Sequence, residues 1–313
     1  MSDILIPVIC GPTASGKSAT AIALAEEFPI EIVSADSAQV VRYLDIGTAK
    51  PSRQQQEIAP THCIDLIEPG ERYSAFRFIN DADTAIDSIL SRGKLPIVVG
   101  GTGLYIKALM HGIVATDKPD PAIRIQLERD ARTDGPESLH KRLAELDPES
   151  AAEIHPSNLI RVVRALEINI ATGMTRRHLL QASVHQKSRF QFVARVLQPH
   201  REMLYSWINQ RVDRYMDEGF LAEVQALSTN GLAPAVRSSA VIGYSELLDY
   251  LDGCATLEQS LNTIRMNTRR YAKRQVTWFK AQQDMDFFVD KMALKVVLLE
   301  DLTRLKRALD TRN

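Results

Sequence analysis

Gly11-Pro12-Thr13-Ala14-Ser15-Gly16-Lys17-Ser18 is the stretch from which the fold of this chain can be read. It matches G-x-x-x-x-G-K-[ST] and lies between the apolar run Val8-Ile9-Cys10 and a helix-forming run from Ala19 to Glu27. In this pattern the glycines let backbone N–H groups point inward, and the helix adds its positive N-terminal end. Lys17 supplies a cation and Ser18 a hydroxyl for Mg²⁺. The stretch predicts a phosphate loop that binds two linked phosphates, against the alternative of a Gly-rich turn without a ligand.

The segments around the phosphate loop predict a parallel sheet. Ile4 to Cys10 forms a first strand, in which Pro7 confines regular pairing to Val8-Ile9-Cys10, and Ile30 to Ser34 forms a second. A strand, a helix and a strand make a right-handed βαβ unit. Apolar runs and their spacing predict three more strands and a helix, at His62 to Leu66, Leu95 to Val99, Gln191 to Leu197 and Phe76 to Arg92.

The length of 313 residues predicts one large domain with an insertion, or two domains. A linker signal, Asp117-Lys118-Pro119-Asp120-Pro121, begins a charged, helix-forming region. We therefore expect a catalytic core from 1–117 and 191–313 and a helical insertion over 118–190. Helices are predicted near 203–229, 239–251 and 256–282, and the last fifteen residues are interpreted as a solvated helix.

Composition excludes several classes of protein. Lys and Arg total 38 against 39 Asp and Glu, so a nucleic-acid partner would need a local basic patch. The three cysteines, Cys10, Cys63 and Cys254, show no metal-binding spacing and indicate reduced thiols. The N-terminus lacks a secretory signal and no run reaches eighteen apolar residues. We expect a soluble, cytoplasmic monomer without a membrane partner.

Three predicted strands end in polar or Gly-rich loops, at 11–18, 34–39 and 100–103. Parallel sheets bind ligands at the carboxyl ends of their strands, so these loops indicate an active site. Asp36 is either a general base or metal-facing carboxylate, or an N-cap or Asx-turn residue. Thr102, between Gly101 and Gly103, lies either in a ligand-approaching loop or in a tight turn.

The stretch from Leu261 to Lys280 contains six cations and no acidic residue, namely Arg265, Arg269, Arg270, Lys273, Arg274 and Lys280. As a helix it would dock by an apolar seam of Leu261, Ile264, Tyr271 and Trp278. Arg265, Arg269 and Lys273 would then form a cationic stripe, which favours a polyanion over an ordinary solvated face. A weaker basic set, Arg161, Arg164, Arg176, Arg177 and His178, fits a solvated face at least as well. From its local sequence, Arg211 is interpreted as a surface salt-bridge residue.

Seven blocks in order resemble bacterial tRNA dimethylallyltransferases over nearly the whole chain. They are the phosphate loop, Ser34 to Val40, Asp45 to Pro51, Gly100 to Tyr105, Arg164 to Glu167, Ile242 to Tyr244 and Lys273 to Phe279. The resemblance implies an α/β fold, a P-loop nucleoside-kinase-like parallel sheet flanked by helices, with an all-helical insertion domain. It also implies transfer of the dimethylallyl group of dimethylallyl diphosphate to N6 of adenine 37, in the anticodon stem-loop of tRNAs that read codons beginning with U.

The resemblance further implies roles for residues in most of these blocks. No nucleotide is hydrolysed, and Gly11, Pro12, Thr13, Ala14, Ser15, Gly16, Lys17, Ser18 and Arg211 would bind the diphosphate, with Mg²⁺ on Ser18. Asp36 would be the general base, and Thr102 and Arg124 would shape the reaction channel. The residues implied to contact tRNA are Asp36, Ser37, Ala38, Gln39, Ile160, Arg161, Val162, Val163, Arg164, Ile242, Gly243, Tyr244, Lys273, Arg274, Gln275, Val276, Thr277, Trp278, Phe279 and Lys280.

Two positions depart from the family. It commonly has Tyr and Gly where this chain has Val41 and Tyr43, whereas Asp36 and Gln39 match. The Cys/His cluster of the eukaryotic zinc finger is missing. Three other functions stay open: an adenylate isopentenyltransferase, which would not need the insertion or the cationic helix; a P-loop small-molecule or nucleoside kinase; and a GTPase-like RNA-binding module, which an absent N-K-x-D motif disfavours.

Overall fold

A computed structural model describes residues 5–114, 121–182, 185–186 and 188–311. The chain divides into two compact units, one of Met1–His111 with Lys187–Asn313 and one of Gly112–Gln186. The linker signal over 117–120 lies outside the described residues. Among the residues described, no helix is long and apolar enough to cross a membrane.

The first unit is built on a parallel sheet with strand order β3-β2-β4-β1-β7-β8. Its strands are β1 (Leu5–Cys10), β2 (Ile30–Ala35), β3 (Thr61–His62), β4 (Leu95–Gly100), β7 (Gln191–Leu197) and β8 (Met285–Phe288). β2 and β4 are buried along their whole length, because helices cover both faces of a parallel sheet. β1, β2 and β4 are neighbours, so the loops that follow them meet at one edge of the sheet. This confirms the predicted α/β fold.

The described part of the first unit contains ten helices, four of which begin at a side-chain N-cap. The ten are α1 (Lys17–Ala25), α2 (Arg53–Ile58), α3 (Ala75–Ser91), α4 (Gly103–His111), α10 (Arg201–Asp217), α11 (Phe220–Thr229), α12 (Ala233–Ser238), α13 (Tyr244–Leu251), α14 (Leu257–Lys280) and α15 (Lys291–Asp310). The Ser74 side chain accepts the Arg77 N–H at the start of α3, and Thr256 caps α14 in a capping box with Gln259. α3 buries Phe78, Ile79, Ile86 and Ile89 on one face.

Several sequence expectations are wrong in detail. The strand predicted from His62 to Leu66 is only Thr61–His62, because Cys63 and Asp65 adopt left-handed backbone angles that end it. Pro7 restricts pairing with β4 to Val8–Cys10, but β7 pairs with β1 from Leu5 onward. The helix predicted at 203–229 is two helices, because Gly219 is left-handed with φ 96°.

The C-terminal segment also differs from its prediction. β8 adds an unpredicted edge strand parallel to β7. α15 is not a solvated helix, because Leu298, Leu302 and Leu305 are buried in the core. Its Asp301 carboxylate accepts two hydrogen bonds from the Arg195 guanidinium of β7, at 2.9 and 3.0 Å. The helix therefore belongs to the folded core.

The second unit has its own hydrophobic core. It contains β5 (Ile113–Val114), α5 (Pro121–Asp134), α6 (Pro136–Leu146), α7 (Pro148–Glu153), α8 (Leu159–Thr172), α9 (Arg176–Ala182) and β6 (His185–Gln186). Leu127, Leu139, Leu143, Val162 and Leu166 pack together in its interior. β5 and β6 pair in a two-residue antiparallel ladder that the helical interpretation did not include.

Candidate active site

A cavity of about 450 Å³ opens at the carboxyl ends of the central strands of the first unit. Thr13, Lys17 and Ser18 of the phosphate loop line it, together with Asp36 after β2 and Gly101 after β4. The sheet order places these three loops side by side. The volume is within the range usual for small-molecule sites. The structure thus brings together the three loops that the sequence analysis grouped at one edge.

The phosphate loop has the geometry that its glycines require. Gly11 has φ 139°, and a Cβ there would lie 2.3 Å from the Leu197 carbonyl oxygen, so no other residue fits without a shift. Gly16 has φ 99° and immediately precedes α1. The buried Lys17 Nζ donates to the Pro12 carbonyl oxygen at 2.7 Å. Burial, reinforced by the positive charge of Arg211, lowers the pKa of Lys17 to about 8, although Asp36 opposes the shift.

Arg211, on α10, is part of this site. Its Nη1 donates to the Thr13 hydroxyl at 3.2 Å, and its side chain lines the cavity. The interpretation of Arg211 as a surface salt-bridge residue is therefore wrong. Arg214 and Tyr215, one turn further along α10, also line the cavity, and the sequence analysis missed both. Their spacing of three and four residues from Arg211 was the available signal.

Asp36 forms the expected Asx-turn and also lies at the cavity, where its role as a base stays a prediction. Its Oδ1 accepts the Ala38 N–H at 2.8 Å in an Asx-turn, and its side chain faces the cavity. Tyr105 and Tyr271 lie near this carboxylate. Burial raises the pKa of Tyr271 to about 12 and that of Tyr105 further, and the charge of Asp36 adds to both shifts. The phenols around Asp36 are therefore neutral at physiological pH.

Thr102 supports the loop that carries Asp36. Its Oγ1 accepts the Ser37 N–H at 2.9 Å, its hydroxyl lies 3.2 Å from the Ser37 hydroxyl, and its own N–H donates to the Ala35 carbonyl oxygen at 3.1 Å. The Tyr271 side chain lies close to the same threonine. Thr102 thus fixes the backbone on both sides of Asp36.

Gln39 also has a bracing role in this structure. Its Oε1 accepts from the Ser34 hydroxyl at 2.8 Å, and its Nε2 donates to the carbonyl oxygens of Thr48 and Ala49 at 3.2 and 3.0 Å. The segment 48–52 forms one wall of the cavity, which the sequence analysis did not assign. Because both ends of the Gln39 amide are engaged, a tRNA contact there would use other atoms of the loop.

α14 is rotated relative to the predicted seam. Ile264 is buried as expected, but Ala272, Gln275 and Phe279 form the rest of the inner side, and Leu261, Tyr271 and Trp278 are only half-buried. Two members of the predicted stripe, Arg265 and Arg269, have partners within the protein and are only half-exposed. Arg265 pairs with Asp213, and Arg269 Nη1 donates to Asn209 Oδ1 at 2.8 Å. The exposed cations are Arg270, Lys273, Arg274 and Lys280, which we call the cationic face of α14.

Burial contradicts direct tRNA contact for some predicted residues. Their side chains, or the backbone in the case of the glycine, lie in the interior, where a polyanion cannot reach them: Val162, Val163, Gly243, Tyr244, Gln275 and Phe279. Others are accessible to different degrees. Ile160 is 80% exposed, and the further exposed or half-buried members are Ser37, Ala38, Arg161, Arg164, Ile242, Val276, Thr277 and Trp278. These stay predictions.

Arg124 belongs to the second unit. Its Nε and Nη2 donate to the two carboxylate oxygens of the buried Glu167 at 2.5 and 3.0 Å. This bidentate pair joins α5 to α8 and raises the pKa of Arg124, chiefly through the hydrogen bond. A role for Arg124 in the reaction channel stays a prediction.

The donor atoms of the cavity suit a cation shared with a substrate. In the described part of the chain, no group of three or more His, Cys, Asp or Glu side chains could hold a metal ion. The Ser18 hydroxyl and the Asp36 carboxylate both line the cavity. Mg²⁺ typically takes one or two protein oxygens together with substrate phosphates and water. These residues fit such an ion and do not fit a metal held by protein ligands alone.

Comparisons with known proteins identify relatives of this chain. The family model described as IPP transferase matches residues 39–282, and one described as Isopentenyl transferase matches residues 4–69. A tRNA dimethylallyltransferase of Desulfosudis oleivorans is 44% identical over 290 residues, which are 93% of this chain and 92% of the relative. One of Geobacter sulfurreducens is 43% identical over 279 residues, 89% of this chain and 90% of the relative.

Two solved structures are also similar. A full-length tRNA isopentenylpyrophosphate transferase of Bacillus halodurans has a TM-score of 0.68 and 38% identity, covering 97% of this chain and 99% of the other. A eukaryotic dimethylallyltransferase acting on tRNA has a TM-score of 0.73 and 31% identity, covering 87% of this chain and 69% of the other. With a phosphate loop and a carboxylate facing one cavity, and with relatives that match along most of its length, this chain belongs to the IPP transferase family.

Proposed function

We propose that this chain transfers the dimethylallyl group of dimethylallyl diphosphate to N6 of adenine 37 in the anticodon stem-loop of tRNAs that read codons beginning with U. The observation that carries the proposal is that the phosphate loop and the Asp36 carboxylate face one cavity. The phosphate loop suits a diphosphate leaving group. The Asp36 carboxylate suits a nucleophile that must lose a proton. The names of the relatives support the same substrates.

The leaving diphosphate would lie on the phosphate loop. When the allylic C–O bond breaks, its electron pair passes to the diphosphate, so positive groups placed there stabilise the transition state. Lys17, Arg211 and the N–H groups at the start of α1 supply that positive potential. In the structure Lys17 and Arg211 interact with Pro12 and Thr13 of the loop, so little movement is needed for them to reach a phosphate oxygen.

Ser18 would hold Mg²⁺ against the diphosphate, because its hydroxyl lies at the cavity and leaves the Asp36 carboxylate free to act as a base. The ion, when bound, would neutralise charge on the leaving group.

Asp36 would act on the acceptor. The N6 lone pair of adenine is conjugated with the ring and is a weak nucleophile. As the bond between N6 and the allylic carbon forms, Asp36 would accept the N6 proton, a contribution of about 10²–10⁴-fold in rate. The Asx-turn and Thr102 keep this carboxylate directed at the cavity.

The adenine must leave the anticodon-loop stack to reach Asp36, which costs a few kcal/mol. Contacts between tRNA phosphates and the cationic face of α14 would offset that cost. AMP would not need these exposed cations, so they favour a tRNA acceptor over a free nucleotide. A P-loop kinase remains the alternative of a different class, and it predicts phosphoryl transfer from ATP.

We further propose that the protein acts as a cytoplasmic monomer.

Mass spectrometry tests the proposal directly. An anticodon stem-loop with A37 and, in a parallel reaction, AMP are incubated with the protein, Mg²⁺ and dimethylallyl diphosphate. We expect the mass of one dimethylallyl group to appear on the RNA alone. Prenylated AMP would instead identify an adenylate isopentenyltransferase. No product in either reaction, together with phosphoryl transfer from ATP, would identify a kinase.

A further inference from the structure

We propose that Gln275 is a positioning residue that holds the phosphate loop and the Gly100–Gly103 turn in the shape that binds diphosphate. This inference rests on the proposed function, because it assigns the diphosphate to that loop. It replaces the expectation that Gln275 contacts tRNA. The Gln275 side chain projects from the buried side of α14, whereas the residues of the cationic face are exposed.

Both ends of the Gln275 amide are used within the site. Its Oε1 accepts the Thr13 N–H at 2.8 Å, and its Nε2 donates to the Gly101 carbonyl oxygen at 2.8 Å. A backbone N–H can only donate and a carbonyl can only accept, so the orientation of the amide is fixed. The side chain is 6% exposed, and a Cβ on Gly101 would lie 2.5 Å from Nε2. Gly101 is therefore needed for this close approach.

A second residue of the same helix reaches the third loop of the cavity. Tyr271, one turn before Gln275, lies close to Thr102, whose Oγ1 accepts the Ser37 N–H. Gln275 thus joins the phosphate loop to the Gly100–Gly103 turn, and Thr102 of that turn supports the Asp36 loop. Two residues of the cationic face, Lys273 and Arg274, lie between Tyr271 and Gln275 in sequence. Both are exposed to solvent.

The amide at 275 has a specific electrostatic requirement. An apolar side chain of the same size would leave the Thr13 N–H and the Gly101 carbonyl without partners inside the protein. A carboxylate at position 275 could accept the Thr13 N–H. Its second oxygen, however, would repel the Gly101 carbonyl oxygen, because both are acceptors. A protonated carboxyl group offers one acceptor and one donor again. Gln275→Glu is therefore a pH-dependent probe of this position.

The surroundings of position 275 determine where that probe titrates. The charged residues that line the same cavity are Lys17, Lys50, Arg211, Arg214, Asp36 and Glu218, and the Lys50 ammonium is already paired with Asp45 and Asp65. Tyr215 also lines the cavity, and Tyr271 and Arg274 flank Gln275 on its own helix. Both tyrosines are neutral, because burial raises their pKa values. At position 275, burial and the Gly101 carbonyl oxygen favour the protonated form of an introduced carboxyl group, whereas the cations of the cavity favour the charged form, so the donor is restored only as the pH falls.

The test measures binding of inorganic diphosphate with Mg²⁺ by calorimetry, beside binding of the labelled anticodon stem-loop. We expect Gln275→Leu to weaken diphosphate binding by about tenfold or more at every pH, since two buried backbone groups lose their partners. Gln275→Glu should be as weak at pH 8 and recover towards the wild-type value, measured at the same pH, as the pH falls to about 5.5. Binding of the stem-loop should be unchanged in both variants.

Gln259→Glu is the matched control, because Gln259 is exposed at the start of the same helix and a Glu also completes a capping box. Wild-type diphosphate affinity in Gln275→Leu, or weaker stem-loop binding with unchanged diphosphate binding, would overturn the proposal. If Gln275→Leu does not fold, a Gln275→Glu variant whose diphosphate affinity does not recover at low pH overturns it instead. Failure of the proposed function is distinguishable, because the wild-type protein would then fail to bind diphosphate or to prenylate the stem-loop.

Discussion

Neutralising three of the four cations on the cationic face of α14 should flatten the salt dependence of tRNA binding by a calculable amount. Lys273, Arg274 and Lys280 are exposed, and no ion pair holds them within the described residues. Each phosphate contact contributes about 0.7 to the slope of log K against log salt for single strands and about 0.9 for duplex. The triple variant Lys273→Gln/Arg274→Gln/Lys280→Gln should therefore lose about two to three from the slope.

That change in slope is large enough to measure. Between about 50 and about 200 mM salt, the wild-type affinity should fall by roughly 16- to 64-fold more than that of the variant. The assay is fluorescence anisotropy of a labelled anticodon stem-loop at several salt concentrations. Diphosphate binding should stay unchanged, because these side chains point away from the cavity.

Arg265 provides the matched control for this experiment. It lies on the same helix but already pairs with Asp213, so Arg265→Gln/Asp213→Asn removes a cation without changing the net charge. We expect the slope of this variant to equal that of the wild type. Equal slopes for the wild type and the triple variant would refute the assignment of the tRNA surface to this face. A flattened slope in the control would show that Arg265 of the predicted stripe contacts the tRNA despite its pairing with Asp213.

Three further predictions concern individual residues. Asp36→Asn keeps an oxygen for the Ala38 N–H but removes the base. It should therefore lower the rate of single-turnover prenylation by about 10²–10⁴-fold and leave stem-loop binding unchanged. A wild-type rate would exclude the base role. Lys17 loses its charge above its lowered pKa of about 8, so calorimetry should show diphosphate affinity falling as pH rises through that value, and Lys17→Gln should remove this step. Tyr43 is 51% exposed and has a left-handed φ of 66°, which strains any residue other than glycine. Tyr43→Gly should therefore raise the free energy of unfolding, measured in urea, by about 0.5–1 kcal/mol. A loss of stability would mean that the tyrosine ring makes contacts that outweigh the strain.

The parts of the fold that were predictable have strong local signals. The phosphate loop has fixed residue types, and β7 was predicted with its observed bounds because its apolar run is isolated between polar segments. The Asp36 and Gly100 loops could be grouped because parallel strands deliver their ends to one edge. The roles of Arg211 and Glu167 could not be derived in this way. Each depends on a partner distant in sequence, Thr13 at 198 residues and Arg124 at 43.

The face that α14 turns inward shows why the rest of the site could not be predicted. Helical periodicity assumes that the buried side of a helix is apolar, and it therefore selected Tyr271 and Trp278 over Gln275. α14, however, packs against loops whose backbone N–H and carbonyl groups need partners, so a polar residue is the best one to bury there. Because the demand comes from the loops and not from the helix, the sequence of α14 alone cannot reveal it. The same reasoning explains why a residue in a block that resembles a tRNA-binding motif can serve the diphosphate site instead.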